Sequence, residues 1–298
     1  MTTPSERAES QATSIQTIER EIALVRSLAG LRDEDLIEVE EEGWDSRVYV
    51  VSRGAIVFKF PRTSEARAAY DDEIAILRVL NGGDGRVVVP TLEWVGPDQS
   101  YVGYRGIVGQ QLGRLGAQLS ASDAHRIGRD LGAFLTTLHA TDTEGFVVVS
   151  VEDEIRQFAS TFDASRDAIE SEFPRSEWNR LVEFFSSRLP ETMRASGSEP
   201  RVCHGDLGPY NLILGDDGRI GVIDFGDVGI FDSAKDFIGL DAAMFDAVLD
   251  AYGGSDVLRA KVEIRRLALP ALDLPFYLGK GDAVGVAGCI ERLRSSLL

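Results

Sequence analysis

The chain is poor in cysteine and histidine. Its 298 residues include two cysteines, Cys203 and Cys289, and three histidines. The cysteines form no CxxC pair, and no histidine stands at the spacing of a zinc-ligand set, which argues against a structural zinc site. We predict that both cysteines are buried thiols.

Basic residues and long apolar runs are also scarce. Lys and Arg total 31 against 49 Asp and Glu, which gives a formal net charge of −18 at pH 7 and argues against nucleic-acid and anionic-membrane partners. An acidic surface attracts a cationic ligand, although solubility alone also explains it. No apolar run reaches the roughly 18 residues of a membrane-spanning helix, and the N-terminus lacks signal-peptide features. We expect a cytoplasmic protein, with a monomer favoured although the oligomeric state is not set by the sequence.

Common nucleotide-binding sequences are absent as well. No GxxxxGK[ST] segment occurs, which excludes a P-loop enzyme. The composition is otherwise ordinary for a globular protein, with 44% hydrophobic and 27% charged residues, and the length is sufficient for two lobes.

The stretch from Val202 to Gly226 contains the residues best suited to chemistry. Asp206 precedes Asn211 by five residues, and two short apolar runs around the turn sequence at 215–218 predict a β-hairpin that ends beside Asp224. Phosphoryl transfer needs one carboxylate to receive the proton of an alcohol, and an amide oxygen and a second carboxylate to hold Mg²⁺ on a nucleotide. The spacing therefore favours a phosphotransferase.

The N-terminal part predicts a helix followed by three antiparallel strands, at about 36–42, 47–52 and 55–60. The loop from Gly43 to Ser46 joins the first two strands. Backbone N–H groups of such a loop bind a nucleotide phosphate in some proteins, and an ordinary hairpin turn has the same sequence features.

Lys59 lies among apolar residues at the end of the third predicted strand. Glu73 follows 14 residues later, in a predicted helix from about Ser64 to Gly82. A strand lysine paired with a helix glutamate holds the α- and β-phosphates of a nucleotide in known phosphotransferases. The alternative is an exposed lysine and an unrelated helix acid.

Two further strands, at 87–94 and 101–108, complete a predicted five-stranded sheet. Gly103, Gly106 and Gly109 mark the end of this lobe, and we place the boundary at residues 105–109. The backbone of Arg105 to Ile107 is expected to face a purine ring.

The remainder of the chain predicts a helical lobe. His125 and His139 are expected at the surface and the end of a helix, without a ligand role. The helical segment 150–196 is rich in Phe and is either a substrate wall or plain packing. Asp241 and Asp246 lie in a helix after the hairpin, either as a wall for a cationic substrate or as part of a solvated face.

Together these motifs resemble those of a known family. HGDLGPYN at 204–211, followed after 13 residues by DFG, resembles the catalytic and metal-binding segments of the protein-kinase-like superfamily, and specifically the aminoglycoside phosphotransferases. The sequences VFKFP, GYRGIVGQQL and IDFGDVGIFDSAKDF are most similar to the 2″-aminoglycoside phosphotransferase branch. The chain lacks the GxGxxG loop and the APE segment of protein kinases, so protein substrates are not expected.

The resemblance implies a role for each matching residue. It implies that Asp206 is the catalytic carboxylate, and that Asn211 and Asp224 hold Mg²⁺. Lys59, positioned by Glu73, would contact the phosphates. Ser46, Arg105 and Ile107 are expected around the nucleotide from their places in the predicted loop and at the lobe boundary, and not from the resemblance. It implies structural support of the catalytic loop for two residues, His204 and Asp236.

The expected fold class is α+β. It is a two-lobed protein-kinase-like fold, with an N-terminal nucleotide-binding lobe at 1–105 built on the five-stranded antiparallel sheet, and a mainly helical lobe at 106–298. The expected reaction is transfer of the γ-phosphate of ATP or GTP, with Mg²⁺, to a hydroxyl of a cationic aminoglycoside. A macrolide kinase, a small-metabolite kinase and a non-catalytic binding protein of the same fold stay open.

Overall fold

The structure is a computed structural model, which describes residues 4–41, 45–81, 83, 85–115 and 119–297. By compactness the chain divides into two units. The first unit contains residues 1–116 and 210–226, and the second contains residues 117–209 and 227–298. In the described part of the chain, no helix is both long and apolar enough to cross a membrane.

The strands and helices follow in chain order. The strands are β1 (Ile37–Glu40), β2 (Ser46–Val51), β3 (Ile56–Pro61), β4 (Val87–Val88), β5 (Thr91–Val95), β6 (Val102–Arg105), β7 (Gly109–Gln111), β8 (Pro200–Cys203), β9 (Leu212–Gly215), β10 (Ile220–Val222) and β11 (Gly229–Asp232). The helices are α1 (Pro4–Ala29), α2 (Ser64–Leu80), α3 (Leu112–Leu115), α4 (Ala121–His139), α5 (Val151–Ile169), α6 (Arg175–Glu183), α7 (Leu189–Met193), α8 (Ala242–Tyr252), α9 (Asp256–Lys280) and α10 (Ala283–Leu297).

The main sheet of the first unit is the predicted five-stranded antiparallel sheet, in the order β1-β2-β3-β6-β5. One face is apolar because alternate residues such as Tyr49, Phe58 and Phe60 are buried, and α1 packs against them through residues that include Val25. The helix α2 begins after Thr63, whose side chain accepts a hydrogen bond from the N–H of Ala66. The N-cap is thus Thr63. The sequence pattern had indicated Ser64, one residue later, as the N-cap.

A second sheet in the first unit contains the hairpin, in the order β4-β10-β9-β7. The predicted run 87–94 is divided at Pro90, and its first part pairs in parallel with β10 instead of joining the main sheet. The hairpin at 210–226 therefore groups with the N-terminal unit, which extends to residue 116. This grouping by compactness differs from the predicted boundary at residue 105. The predicted boundary separates a nucleotide-binding lobe from a catalytic lobe, and that functional division stays a prediction.

The second unit is mainly helical, as predicted. One apolar cluster of this unit joins the helices between residues 151 and 193 to α9 and α10. Phe162 stacks on Phe185 with ring centroids 4.3 Å apart, and Trp178 lies 5.5 Å from Phe162. Because these rings are buried against each other, the aromatic residues of segment 150–196 serve packing.

A buried ionic network fixes the start of the segment that contains Asp236. Asp232, at the end of β11, caps the following turn by accepting the N–H of Ala234 at 2.9 Å. Its carboxylate also pairs with Lys261 of α9 at 2.8 Å. Arg265 of the same helix pairs with Glu154 of α5 at 2.9 Å. All four charged groups are at least 90% buried, so the network holds the end of β11 and the following turn against the helices α5 and α9.

Candidate active site

Lys59 is held between two carboxylates of the first unit. Its Nζ lies 2.8 Å from Oε1 of Glu73, on α2, and 2.7 Å from Oδ1 of Asp224, at the end of the hairpin. The side chains of Lys59 and Glu73 are only 13% and 2% exposed. Burial opposes the charge of Lys59, but both carboxylates outweigh it and raise the pKa of the ammonium group above its ordinary value. Lys59 is therefore a fixed cation.

This cation lies in a cavity of about 460 Å³ within the first unit. Asn211 and Asp224 also line the cavity. Part of the remaining wall is apolar and comes from the sheet, α2 and the hairpin: Val48, Val50, Val57, Leu77, Tyr104, Ile107, Ile213 and Ile223. A cavity of this size, lined by apolar residues together with charged and amide groups, is typical of a small-molecule site.

The hairpin determines the positions of Asn211 and Asp224. The N–H of Ile223 donates to the carbonyl of Asn211 at 3.0 Å, which extends the β9–β10 ladder by one pair. Asn211 therefore lies opposite the residue that precedes Asp224. An amide oxygen and a carboxylate, completed by phosphate oxygens and water, form the oxygen ligand set that Mg²⁺ prefers. The two residues fit a magnesium ion on a bound nucleotide.

The loop that contains Asp206 belongs to the second unit and is fixed by Asp236. Asp236 is fully buried, and its two carboxylate oxygens accept the backbone N–H groups of His204 at 2.8 Å and Gly205 at 2.9 Å. The N–H of Asp206 in turn donates to Nδ1 of His204 at 3.3 Å. These three hydrogen bonds hold the backbone on which the Asp206 carboxylate is mounted.

Gly205 allows the loop to pass close to the turn that precedes β11. Its φ of +86° lies in the left-handed region, and a Cβ atom there would come within 2.1 Å of the carbonyl oxygen of Asp227. No side chain fits at that distance from a backbone atom. The glycine of the HGD sequence is therefore required by geometry.

His139 ends α4, as predicted, and has buried partners that the sequence analysis did not identify. Its side chain is buried, Nε2 lies 3.0 Å from Oδ2 of Asp236, and Nδ1 lies 2.9 Å from the hydroxyl of Tyr252. Burial by itself would raise the pKa of Asp236, but the hydrogen bonds from His139 and the His204 N–H overcome it and hold that pKa below its ordinary value. One feature of the sequence indicates that His139 is buried: it follows Leu131 and Leu135 at helical spacing, on the apolar face of α4.

Cys203 lies beside the same carboxylate. The donor atoms of His139, Cys203 and Asp236 are within 4.8 Å of one another, and all three are residue types that bind zinc. Burial, reinforced by the charge of Asp236, holds the pKa of the Cys203 thiol well above its ordinary value, so it is a neutral thiol. Because Asp236 also accepts two loop N–H groups, the cluster is a hydrogen-bonded support of the loop. Cys203 and Cys289 are both free and buried, which confirms their prediction as buried thiols.

Ser46 has a partner of its own at the start of β2. Its side chain is buried, and its hydroxyl lies 2.7 Å from that of Tyr70 on α2. Residues 43 and 44 of the predicted phosphate-binding loop lie outside the described residues. The hydroxyl of Ser46 is therefore already bound, and a contact of its backbone N–H with a phosphate stays a prediction.

Arg105 and Ile107 differ in their surroundings. The exposed guanidinium of Arg105 pairs with Glu93 and lies 5.1 Å from the centre of the Trp94 ring. Ile107 is buried and lines the cavity, as does Gly106. The segment predicted to face a purine thus reaches the cavity through Gly106 and Ile107.

The acids predicted at the acceptor side have structural partners. Asp241 caps α8, since its side chain accepts the N–H of Ala243 at 2.7 Å. Asp246 pairs with Arg259 at 2.8 Å but keeps 76% of its side chain exposed. Neither interaction removes the negative charge from solvent.

The segment that leads to Asp241 is packed against the catalytic loop. A Cβ atom on Gly239 would come within 2.5 Å of the carbonyl oxygen of Leu207, the residue after Asp206. Arg266 of α9 holds this segment from the other side by donating to the carbonyls of Phe237, Ile238 and Leu240 at 2.7–2.9 Å. Asp241 is therefore fixed near the catalytic loop.

The arrangement agrees with a comparison of the sequence with protein families. The model of a family described as "Phosphotransferase enzyme family" matches residues 37–260. This range includes Lys59, Glu73, Asp206, Asn211 and Asp224.

Solved structures of known phosphotransferases have a similar fold. The GDP and kanamycin complex of APH(2")-IIia is 22% identical, with 93% of this chain and 98% of that chain covered and a TM-score of 0.74. The ADP-bound aminoglycoside phosphotransferase APH(2'')-Ib is 18% identical over 93% and 97%, with a TM-score of 0.68. The apoenzyme of macrolide 2'-phosphotransferase MphH from Brachybacterium faecium is 21% identical over 90% and 96%, with a TM-score of 0.59. The predicted kinase-like fold is thereby confirmed.

Proposed function

Because the chain belongs to the phosphotransferase enzyme family, we propose that it transfers the γ-phosphoryl group of ATP or GTP to a hydroxyl of an aminoglycoside, and so inactivates the antibiotic. The observation that supports this most directly is Lys59, held between Glu73 and Asp224 in a cavity that Asn211 also lines. Phosphoryl transfer depends on positioning and charge neutralisation, and these groups supply both.

The cavity residues would bind the donor nucleotide. The apolar side chains around Ile107 suit a purine, and Lys59 would donate to phosphate oxygens in the cavity. Asn211 and Asp224 would hold Mg²⁺, which supplies positive charge at the β- and γ-phosphates when bound. Lys59 already contacts Asp224 at 2.7 Å, so the cation and the metal ligand are set in one fixed group.

Asp206 would receive the proton of the acceptor hydroxyl as the phosphoryl group is transferred. The acceptor oxygen must lie within hydrogen-bonding reach of this carboxylate, at about 2.6–3.2 Å. The fixed loop backbone suits this role, because Asp236 and His204 hold it through the hydrogen bonds described above. No Ser or Cys nucleophile is required.

An aminoglycoside is proposed as acceptor on grounds of charge. The chain has a formal net charge of −18, and an acidic protein attracts a polycation over distance. Asp241 lies near the catalytic loop with its charge exposed, and we propose Asp241 and Asp246 as part of the acceptor surface. The solved structures of similar fold include complexes with kanamycin and with gentamicin.

An acceptor panel tests the proposal. Purified protein is incubated with Mg²⁺ and ATP or GTP, and nucleotide consumption is measured with kanamycin, gentamicin, streptomycin, a macrolide and simple amino alcohols. We expect aminoglycoside-dependent consumption and a product heavier by one phosphoryl group in mass spectrometry.

Each other result of the panel has a defined meaning. Turnover restricted to the macrolide or to an amino alcohol would contradict the aminoglycoside assignment but retain the phosphotransferase. A protein that binds nucleotide without transfer to any alcohol would instead be a non-catalytic member of the fold.

The substitution Lys59→Met tests the donor site. We expect kcat/KM for the nucleotide to fall by roughly 10²-fold or more. Lys59 would form a buried charge pair with the phosphates, and the loss of one partner from such a pair across a binding interface costs about 2–5 kcal/mol. The matched control is Lys280→Met, which removes an exposed lysine at the end of α9 and should leave the kinetics unchanged. Steady-state kinetics with varied nucleotide make the comparison, and equal effects of the two substitutions would disprove the role of Lys59.

A further inference from the structure

Tyr210 is an exposed aromatic residue inside the catalytic sequence HGDLGPYN. Its side chain is 61% exposed, whereas the next most exposed aromatic side chain in the described part of the chain is Phe276, at 39%. Its neighbour in sequence, Asn211, is the proposed metal ligand.

The backbone of Tyr210 is bound by the strand before α3, and its ring lies against α3. Nε2 of Gln111 donates to the Tyr210 carbonyl at 2.8 Å. The ring lies so close to Gly113 that a Cβ atom there would come within 2.8–3.0 Å of three ring carbons. One side of the ring is therefore covered by α3, and its exposed side is presented in a defined direction.

This exposed ring lies outside the nucleotide cavity. The lining of the cavity includes Gln111, Arg114 and Asn211, but not Tyr210. Asp206 is four residues earlier in the chain, so at most about 14 Å separates the two Cα atoms. The ring is thus on the same short chain segment as Asp206, the proposed proton acceptor.

An exposed aromatic ring binds cations through its negatively polarised face, and it also packs against the C–H groups of a sugar. We propose that Tyr210 determines specificity for the acceptor by binding an ammonium-bearing sugar or aminocyclitol ring against its exposed face. The inference rests on the proposed function, and it defines the acceptor more closely as a cyclic polyol with a protonated amine near the reacting hydroxyl.

The test compares Tyr210→Leu with Tyr210→Phe in the full chain. The leucine removes the π face, and the phenylalanine retains it. We expect Tyr210→Leu to raise KM for kanamycin by about 3- to 30-fold, the range of a cation–π contact, while Tyr210→Phe stays within about twofold of wild type. Both variants should keep the wild-type KM for the nucleotide. Phe276→Leu, which alters an exposed ring on α9, serves as the control.

A second acceptor makes the test specific for charge. N-acetylated kanamycin has lost its positive charges, so the effect of Tyr210→Leu on its binding, measured by calorimetry with a non-hydrolysable nucleotide, should be much smaller than for kanamycin. A rise in the nucleotide KM would show that the ring only supports α3, and unchanged kinetics for both substrates would also overturn the inference. If wild type transfers phosphate to neither kanamycin nor gentamicin, the proposed function itself fails, and that result is visible without any variant.

Discussion

Replacement of Asp206 by Asn is expected to lower kcat by about 10²–10⁴-fold, the usual contribution of a general base. The amide has nearly the same shape as the carboxylate but cannot receive the proton of the acceptor hydroxyl. KM for the nucleotide should change little, because the residues around the donor cavity belong to the other compact unit. Steady-state kinetics with each substrate varied in turn measure both effects.

A matched substitution separates this effect from a general loss of charge. Asp217→Asn removes a carboxylate from the exposed hairpin turn, where it pairs with Arg219 at 2.7 Å. Exposed pairs contribute little, so activity and stability should remain near wild type. If Asp206→Asn turned over at the same rate as Asp217→Asn, Asp206 would not be the proton acceptor.

The hairpin and the Lys59–Glu73 pair were predictable because their signals are local. A turn sequence between two apolar runs predicts a hairpin, and the hairpin alone brings Asn211 opposite Ile223. Glu73 lies on a helix that directly follows the strand of Lys59, so their 2.8 Å contact needs no distant segment. Contacts between residues that are this close in the chain can be predicted from a short stretch of sequence.

The pairing of β4 was not predictable, because its partner is far away in the chain. Val87 is paired with Ile220, and the sequence around either residue gives no indication of the other. Pro90 marked a break in the run, which in hindsight argued against a single strand through 87–94. Ser46 shows the same limit, since its hydroxyl contacts Tyr70 from another element.

The acceptor side was the least predictable part of the site. Asp241 has a local signal as a helix cap, but capping and ligand binding both use an exposed carboxylate, so the pattern could not separate them. His139 was predicted only as a helix-end residue, because its partners, Asp236 and Tyr252, are about 100 residues further along the chain. A role that depends on tertiary packing cannot be predicted from the spacing of residues in a short stretch of sequence.

Replacement of Asp236 by Ala is expected to destabilise the protein by about 3–5 kcal/mol, the usual cost of removing one partner from a buried ionic group. The change leaves the N–H groups of His204 and Gly205, and Nε2 of His139, without their acceptor. We expect transfer activity to be lost even in the folded fraction, because the backbone of Asp206 is released. Nucleotide binding by that fraction should persist, and Asp250→Ala, at an exposed site on α8, should have neither effect.

The dependence on pH distinguishes this carboxylate from a merely well-packed residue. Its pKa is lowered in the folded protein, so its contribution to stability is complete above the unfolded value of about 4 and declines as the pH falls through the still lower folded value. Denaturant unfolding of wild type and Asp236→Asn should therefore differ most near neutral pH and converge below about pH 4. The asparagine has one oxygen for two N–H donors, so it should stay intermediate between wild type and alanine. A gap between the curves that stays constant with pH would show that the charge of Asp236 does not support the loop.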